Sequence, residues 1–429
     1  MKIGVGIDWG ADEHEVCVVM EGDTRAQRRW RVRHRGADIA ELFDHLAALS
    51  ADPSALCVAI ETPHGALVDT ALDRGMRVFA LNPKQLDRFR DRYCTSGKKD
   101  DKTDAYVMAR TVLSDPDCFR ELAVSAPEYV MLREWSRQRE ELVGEQTALI
   151  NRIKGALRRY YPSFLELNAV SEAWGRELFA LAQTPKKAAR LRVSTLEKLL
   201  RQHRIRRLSA EQVRDTLSAQ PLHVAQGLTE ATVGQLRHSF ARLELVQSQL
   251  ADAEREIERL VTRLHDAHVT EQAKLAAEQR TPSDVELWTS LDGVGKVVLG
   301  TMLGEAHLLI ASRDLASLRA FSGCAPVTKN TGQRENRYAP RKASFVHMRY
   351  ACSEHLRSAV YHLGRTAAVF SPVYRPRYVA MRARGHSHGR ACRQIADQIL
   401  HVAFAMLRDR TLYDRNRALP QAAAATPAA

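Results

Sequence analysis

The chain has 429 residues and a mass of 48.2 kDa, and it is 45% hydrophobic and 27% charged. This length is too great for one ordinary core and predicts two or three domains, while the composition excludes wholesale disorder. The net charge of +13 and the pI near 9.6 predict a polyanionic partner.

The excess positive charge lies in the last quarter of the chain. Residues 321–420 contain 18 Lys and Arg against five Asp and Glu, whereas residues 1–320 contain 46 of each. A general drift towards arginine would also make the protein basic, but it would not place the surplus in one segment. The segregation therefore predicts an anion-binding surface near the C-terminus.

Cysteine spacing and apolar runs bear on the compartment. The seven cysteines are scattered without a Cys-x-x-Cys pair, which is typical of a reducing compartment and not of a disulfide framework or a zinc finger. The N-terminus begins with a strand-like run instead of a signal-peptide pattern, and no run of 18 apolar residues is present. We expect a cytoplasmic protein with no membrane partner.

The first hundred residues alternate strand and helix signals. Strands are predicted at 3–8, 15–20 and 28–34 as an antiparallel meander, followed by strands at 55–61 and 76–81, the first of them buried and parallel. Helices are predicted at 37–49, 65–74, 84–92 and 102–113. This order is that of a ribonuclease-H-like domain, here residues 1–127, in which the first and fourth strands are neighbours.

Strand signals disappear after residue 127. Residues 130–160 have the pattern of a charged amphipathic helix, and residues 236–264 carry four apolar heptads. We expect a helical coiled-coil domain at 128–281, whose seam packs on the earlier helix of the same chain or on a second protomer. A mainly helical third domain is predicted at 282–414, and the tail 415–429 is predicted to be disordered. The fold class is α/β plus all-α.

Four carboxylates are predicted to converge at one edge of the first domain. Asp8 ends the first strand, Glu61 ends the fourth, and Asp101 and Asp104 share one face of a predicted helix. Any one of them could equally be a cap or turn residue, and Asp100 is a close alternative to Asp101. Because hard cations relieve the repulsion between clustered carboxylates, the set predicts a two-metal phosphodiester site with Mg²⁺, or with Mn²⁺ in its place.

Two segments of the third domain are candidate phosphate-binding sites. Gly293 and Gly295 lie in a sequence like the turn of a helix-hairpin-helix motif, although a plain tight turn would use the same glycines. The other segment runs from Phe321 to Gly332, and a hydroxyl there is a candidate nucleophile among cations. The cations of this segment and of the residues after it are Lys329, Arg334, Arg337, Arg341 and Lys342.

Two further basic segments are candidates for contact with nucleic-acid backbones. Residues 185–208 contain nine Lys and Arg against one Glu, a pattern that a solvated amphipathic helix would also have. Towards the C-terminus, arginines and two tyrosines are interleaved. These residues are Tyr374, Arg375, Arg377, Tyr378, Arg382, Arg384, Arg390 and Arg393.

The chain resembles the DEDD-type transposases of the insertion-sequence 110 family, which are relatives of the Piv DNA invertase. The resemblance rests on Gly6-Ile7-Asp8, Ile60-Glu61-Thr62-Pro63, Asn82-Pro83, Lys99 to Ala105, Gly293-Val294-Gly295 and Phe321 to Pro326. It covers both end domains and nearly the full length. It implies an N-terminal RuvC-like domain, a coiled-coil insertion and a C-terminal transposase domain.

The resemblance also implies catalytic residues. In the family four acidic residues bind Mg²⁺, and the matching positions are Asp8, Glu61, Asp101 and Asp104. A serine of the C-terminal domain forms a covalent link to DNA in the family, and its position falls on Thr331, a more hindered nucleophile. The alternatives are that the hydroxyl of Ser344 acts as the nucleophile, or that this copy of the transposase is impaired.

Some members of the family are similar to recombinases that are guided by a structured non-coding RNA, the bridge RNA. We therefore predict a DNA transposase or recombinase that acts on double-stranded DNA as a dimer or tetramer with such a guide RNA. A metal-only nuclease similar to a Holliday-junction resolvase, in which water attacks, is the alternative enzyme. A nucleic-acid-binding scaffold with a structural cation is the alternative without catalysis.

Overall fold

The computed structural model describes residues 1–93, 100–330 and 344–415. It divides into two compact units, Met1–Ala126 and Pro127–Ala429. The division lies within one residue of the first predicted domain boundary, and the predicted boundary near residue 282 lies inside the second unit. The three-domain division remains a prediction.

The first unit has mixed α/β structure. Its strands are β1 (Ile3–Asp8), β2 (Glu13–Met20), β3 (Arg28–Arg33), β4 (Leu56–Ile60), β5 (Arg77–Ala80) and β6 (Arg120–Leu122). Its helices are α1 (Gly36–Ala47), α2 (Ala66–Asp73), α3 (Pro83–Tyr93) and α4 (Asp101–Ser114), with 3-10 turns at Pro53–Ala55 and Pro116–Cys118. Every strand and helix predicted for the first hundred residues is present to within two residues, and β6 was not predicted.

All six strands form one sheet in the order β3-β2-β1-β4-β5-β6. Strand β1 pairs antiparallel with β2 and parallel with β4, so the predicted neighbourhood of the first and fourth strands is confirmed. Ile7 lies opposite Ile60, one residue before Asp8 and Glu61, respectively. Because parallel strands end at the same edge of a sheet, these two carboxylates come to one edge.

Helix α4 lies directly against β1 because the strand has glycine at two alternate positions. A Cβ on Gly6 would lie 1.9 Å from the carbonyl oxygen of Ala105, and one on Gly4 would lie 2.2 Å from that of Ala109. Any side chain at these positions would push the helix away from the sheet. The close approach carries the first turn of α4 to the end of β1.

Strand β4 is buried on both faces, as its continuous apolar sequence predicted. Leu56, Val58 and Ile60 belong to one hydrophobic cluster, whereas Cys57 and Ala59 belong to another. The first cluster includes side chains of α1 and α2, and the second includes side chains of α4. Helices therefore cover both faces of the sheet, as is usual for parallel strands.

The second unit is mainly helical. Its helices are α5 (Pro127–Tyr160), α6 (Ser163–Glu166), α7 (Ala173–Leu181), α8 (Pro185–Ala188), α9 (Val193–Gln202), α10 (Ala210–Leu217), α11 (Leu228–Ala273), α12 (Asp284–Thr289), α13 (Lys296–Ala311), α14 (Leu315–Phe321), α15 (Glu354–Phe370), α16 (Tyr374–Ala383) and α17 (His388–Asp409), with a 3-10 turn at Ala277–Gln279. The antiparallel strands β7 (Val327–Asn330) and β8 (Ser344–His347) interrupt them. The expectation that no strand follows residue 127 is wrong, because strands of four residues are too short for a recognisable alternation.

The long helices α5 and α11 pack antiparallel within one chain. Nε of Arg139 on α5 donates to Oε1 of Glu254 on α11 at 2.8 Å, and Arg263 near the end of α11 lies 3.4 Å from Glu128 near the start of α5. The heptad residues of α11 that are buried in this unit include Leu236, Leu243, Val246, Ala253, Ile257 and Leu260. Of the two partners that the sequence left open, the structure shows the helix of the same chain. The heptads therefore give no indication of an oligomer.

Within the described ranges, no helix is both long enough and apolar enough to cross a membrane. Helix α11, with 46 residues, carries exposed ion pairs along its length. Arg255 pairs with Asp252, and Arg259 pairs with Glu256 at 2.8 Å. Such pairs are typical of the solvated face of a long helix.

Candidate active site

Four carboxylates from three parts of the chain lie at the edge of the sheet where β1 ends. Asp8 is the last residue of β1, Glu61 follows β4, and Asp101 and Asp104 lie in the first turn of α4. Asp104 is 8% exposed, Asp8 and Glu61 are partly buried, and Asp101 is exposed. The structure therefore brings together the carboxylate cluster that the sequence predicted, while the catalytic roles of its members remain predictions.

The charges of the carboxylate cluster act on Asp8. Burial raises the pKa of Asp8 to about 7 together with the negative charges of Asp101, Asp104 and Glu61, and the positive charge of Arg90 opposes them. Without a bound cation, Asp8 is therefore about half protonated near pH 7. A carboxyl group whose pKa is raised by burial and by neighbouring carboxylates is typical of a functional site.

Arg90 on α3 neutralises part of the carboxylate cluster. Its Nε donates to Oδ1 of Asp104 at 2.7 Å, and its Nη2 donates to Oδ2 of the same carboxylate at 2.8 Å. Its Nη1 donates to Oδ1 of Asp87 at 2.6 Å. The Arg90 and Asp104 side chains are only 12% and 11% exposed, so a buried guanidinium holds both oxygens of a buried carboxylate.

A role for Arg90 was not predicted from the sequence. The residue lies 14 positions before Asp104, on a different helix. The spacing rules that place two side chains on one helix face do not apply across such a connection. The packing of α3 against α4, which creates the contact, has no local sequence signal.

Asp100 has a structural task beside the carboxylate cluster. It is the N-cap of α4, and its Oδ1 accepts a hydrogen bond from the backbone N–H of Thr103 at 2.7 Å. This bond satisfies one of the N–H groups that the first turn of a helix leaves free. The contact accounts for the carboxylate of Asp100 and favours the choice of Asp101 for the cluster.

The oxygen donors of the carboxylate cluster suit a hard divalent cation by their chemistry. In the part of the chain that the structure describes, however, no group of three or more His, Cys, Asp or Glu side chains is arranged to hold a metal ion. The ion pair between Arg90 and Asp104 gives one physical reason, since it directs this carboxylate towards a guanidinium. The carboxylate oxygens therefore suit a metal ion by their chemistry, and in the present arrangement Arg90 balances part of their negative charge.

A buried histidine fixes the chain that follows Asp8. The N–H of Gly10 donates to Nδ1 of His14 at 3.3 Å, so Nε2 of His14 carries the proton and donates to Nδ1 of His34 at 2.9 Å. His14 is fully buried, and burial together with His34 lowers its pKa. The neutral imidazole therefore anchors the turn beside the carboxylate cluster. This contact was not predicted from the sequence.

Gly293 and Gly295 lie at the turn that leads into α13. Gly293 has φ of +89°, which favours glycine, and Gly295 is the N-cap of α13 with open space where its side chain would be. The turn is fastened by Asp292, which accepts hydrogen bonds from Ser371 at 2.7 Å and from Arg415 at 2.9 Å. The geometry is that of a tight turn with open space beside Gly295, so it distinguishes neither interpretation from the other.

The predicted nucleophile and most of the neighbouring cations lie outside the described residues. These are Thr331, Arg334, Arg337, Arg341 and Lys342. Lys329 lies in β7 and Ser344 begins β8 opposite Asn330, but their side chains are likewise not described. The roles of these residues therefore remain predictions.

The segment from residue 371 to residue 396 carries six arginines and no acidic residue. Five of them are exposed on α16, α17 and the turn between them, and we call these the arginine surface: Arg375, Arg377, Arg382, Arg384 and Arg390. Arg377 lies over the ring of Tyr374 at 5.6 Å, and Nη1 of Arg382 donates to the backbone oxygen of His386 at 2.6 Å. The surface thus concentrates positive charge without acidic residues in its own segment.

The basic segment 185–208 has the structure of a solvated amphipathic region. All nine of its Lys and Arg residues are exposed, while Leu196, Leu199 and Leu200 of α9 are buried. Arg207 pairs with Glu172 at 2.9 Å. The structural interpretation that the sequence left open is therefore sufficient, although exposed cations also suit a nucleic-acid backbone.

Comparison with known proteins points in one direction. Residues 5–162 match the family model of the DEDD transposases of IS110, which is described as a transposase. The candidate transposase y4uE of Sinorhizobium fredii is 47% identical over 208 residues, which cover 48% of this chain and 58% of that protein. The candidate mini-circle transposase for IS117 of Streptomyces coelicolor is 27% identical over 438 residues, covering 99% of both chains. An uncharacterised 43.6 kDa protein of insertion element IS110 from the same species is 27% identical over 387 residues, covering 87% and 86%.

Proposed function

Since the chain belongs to the insertion-sequence 110 family of transposases, we propose that it cleaves and exchanges DNA strands at the ends of an insertion element. The observation that carries the proposal is the carboxylate cluster of Asp8, Glu61, Asp101 and Asp104 at one sheet edge. All four residues lie inside the segment that matches the family model. The raised pKa of Asp8 supports a functional cluster over four unrelated turn residues.

We assign the first unit to the RuvC-like class of ribonuclease-H-like domains. Three antiparallel strands are followed by two strands parallel to β1, in the order β3-β2-β1-β4-β5. One acidic residue ends the first strand and another follows the fourth, as the resemblance implies. These features support the assignment.

We propose Mg²⁺, or Mn²⁺, as the cation of the carboxylate cluster. When bound, such a cation would polarise a scissile phosphate and stabilise the charge that develops on its oxygens. The protein supplies four carboxylates from three elements, and glycines in β1 that allow α4 to approach. Since the pKa of Asp8 is raised to about 7, this carboxyl is partly protonated at neutral pH, and binding of the cation should release the protons that it carries.

We propose the hydroxyl of Thr331 as the nucleophile, with Ser344 as the alternative. The support lies in the sequence alone, where Thr331 precedes a glycine at the position of the family's serine. The hydroxyl oxygen would bond to phosphorus while the bond from phosphorus to the 3′ oxygen breaks. The hydroxyl proton would pass to the departing oxygen, which leaves a covalent protein–DNA link and a free 3′-OH.

We further propose that DNA binds to the arginine surface and that a guide RNA takes part. The five arginines of this surface are exposed and their segment contains no acidic residue, so the surface concentrates positive charge that would attract DNA phosphates. The exposed cations of residues 185–208 offer a second backbone-binding surface. Because two duplexes that exchange strands need more than one copy of the site, we propose a dimer or tetramer in which Thr331 and the carboxylate cluster come from different protomers.

An assay for a covalent intermediate tests this function. The purified chain is incubated with DNA of its element ends, Mg²⁺ and co-purified RNA, and then examined for a protein–DNA adduct that resists denaturation. The proposal expects an adduct that Thr331→Ala abolishes and Ser344→Ala leaves in place. The reverse result would move the nucleophile to Ser344.

Two outcomes of the same assay would favour the other functions. Cleavage without an adduct, unchanged in Thr331→Ala, would favour the metal-only nuclease, in which water attacks the phosphate. Binding of DNA without any cleavage, under conditions in which Mg²⁺ stabilises the fold, would favour the scaffold.

A further inference from the structure

Among the described residues, Arg90 places a positive charge beside the carboxylate cluster. Among the charges that act most strongly on Asp8, three belong to carboxylates and the fourth belongs to Arg90. The guanidinium reaches the cluster through Asp104, the most buried member, and both partners are about nine-tenths buried. A buried negative charge beside three other carboxylates is costly, and the ion pair with Arg90 offsets part of that cost.

We propose that Arg90 is an internal counter-ion that holds the carboxylate cluster in its metal-free form and releases Asp104 when a divalent cation binds. The guanidinium of Arg90 donates to both oxygens of Asp104, so Arg90 and a metal ion would compete for this carboxylate. This inference rests on the proposed function, because it requires that the cluster binds metal. Arg90 is in this account a positioning residue, since it acts through Asp104.

The contacts of Arg90 also provide a second partner for the released guanidinium. Its Nη1 already donates to Asp87 at 2.6 Å, and the side chain of Asp87 is 61% exposed. Arg90 can therefore leave Asp104 and keep an ion pair at the rim of the cluster. Release does not strand a buried, unpaired charge, which would oppose metal binding.

A second ion pair in the same unit, in which an arginine also donates to both oxygens of one carboxylate, serves as a structural comparison. Arg77 on β5 donates to both oxygens of Glu121 on β6 at 2.7 and 2.9 Å. This pair is more exposed, at 35% and 45%, and its carboxylate is not among the four of the cluster. Loss of Arg77 should therefore weaken the fold without a link to metal binding, whereas loss of Arg90 should alter both.

The test compares wild type, Arg90→Gln and Arg77→Gln as full-length chains. Thermal unfolding is followed in EDTA and across a Mg²⁺ titration, and the affinity for Mn²⁺ is measured by calorimetry as an independent readout. In EDTA both variants should unfold at a lower temperature than wild type. The transition that Arg77→Gln lowers identifies the unfolding of the first unit.

Metal should then separate the two variants. Arg90→Gln should be stabilised more by Mg²⁺ than wild type and should bind Mn²⁺ more tightly, on the order of tenfold, because one competing charge is gone. Arg77→Gln should show the wild-type metal response. Equal or weaker metal binding by Arg90→Gln would overturn the proposal and leave Arg90 as a residue that merely orients Asp104.

Two further variants keep the test decisive. Arg90→Lys retains the charge without the fork and should give a metal affinity between those of wild type and Arg90→Gln. If Arg90→Gln folds only with Mg²⁺, the metal has replaced the guanidinium, as the proposal expects. The proposed metal site itself fails if wild type does not respond to metal, or if Asp104→Asn responds as wild type does. A different result, in which wild type responds to metal and Arg90→Gln responds equally, would overturn only the proposed role of Arg90.

Discussion

The carboxylate cluster of the first unit and the arginine surface of the second carry opposite charges, and they are balanced in different ways. Asp104 is buried and held by a buried guanidinium of its own unit. The arginine surface is exposed, and its segment holds no acidic residue. A buried charge must be balanced within the fold or by a metal, whereas an exposed charge can await a partner. The first region therefore carries the proposed chemistry, and the second carries the proposed DNA-binding surface.

The largest expected effect concerns which of Asp100 and Asp101 belongs to the carboxylate cluster. Asp101→Asn should lower the rate of DNA cleavage on the order of 10³-fold or more, because it removes one of the proposed catalytic carboxylates. Asp100→Asn is the matched control, since asparagine caps a helix as well as aspartate does. Cleavage rates on labelled DNA of the element ends provide the measurement. A large loss in Asp100→Asn with normal activity in Asp101→Asn would exchange the two assignments.

The next variant should displace part of the carboxylate cluster without changing any charged residue. Gly6→Ala places a Cβ 1.9 Å from the carbonyl oxygen of Ala105, so α4 must move away from β1. We expect the free energy of unfolding to fall by about 1–3 kcal/mol and cleavage to be lost. Gly36→Ala, which meets nothing within 4 Å, should preserve both. Normal stability of Gly6→Ala in denaturant titrations would contradict the close approach.

A third prediction concerns the arginine surface. The double variant Arg375→Gln and Arg384→Gln should weaken DNA binding about tenfold and lower the slope of log affinity against log salt by about two. Fluorescence anisotropy at several salt concentrations measures both quantities. The double variant Arg255→Gln and Arg259→Gln is the control, because these arginines are also exposed but pair with Asp252 and Glu256 on α11. Equal losses in the control would show that net charge, and not this surface, binds the DNA.

The smallest effect is a pH dependence of stability in EDTA. The pKa of Asp8 in the folded chain is raised to about 7 by burial and by the carboxylates of Asp101, Asp104 and Glu61, against the opposing charge of Arg90. Its protonation therefore favours the folded state at low pH, and this stability is lost progressively as pH rises from the ordinary pKa of 3.8 to the raised pKa of about 7. Asp8→Asn should remove that loss, so that its midpoint exceeds that of wild type by about 2–6 °C at pH 8.5, and this excess should shrink steadily as the pH is lowered. A constant difference between the two midpoints would contradict the raised pKa.

The first unit could be predicted closely from the sequence because its signals are local. The alternation around Ile7 and the apolar run of β4 identify strands, and the pairing of β1 with β4 then places Asp8 and Glu61 at one edge. The three-residue spacing of Asp101 and Asp104 on α4 completes the carboxylate cluster. Each step uses the period of a strand or a helix, which the amino-acid pattern reports directly.

The features that were missed depend on tertiary contacts or on very short elements. Arg90 contacts Asp104 because α3 packs against α4, and the sequence pattern of neither helix predicts this contact. The heptads of α11 would be the same with a partner from its own chain or from a second protomer. Strands β7 and β8 have four residues each and give no clear alternation.

Cleavage of element-end DNA by wild type and by Asp8→Asn across a Mg²⁺ titration tests the central claim most directly, because Asp8 is the residue on which the whole carboxylate cluster acts. Stability of both proteins is measured in the same buffers, so that a loss of activity is not a loss of fold. We predict that wild type cleaves only with Mg²⁺ and that Asp8→Asn stays folded without cleaving at any Mg²⁺ concentration. Cleavage by Asp8→Asn at the wild-type rate would contradict the assignment of the active site to this edge of the sheet.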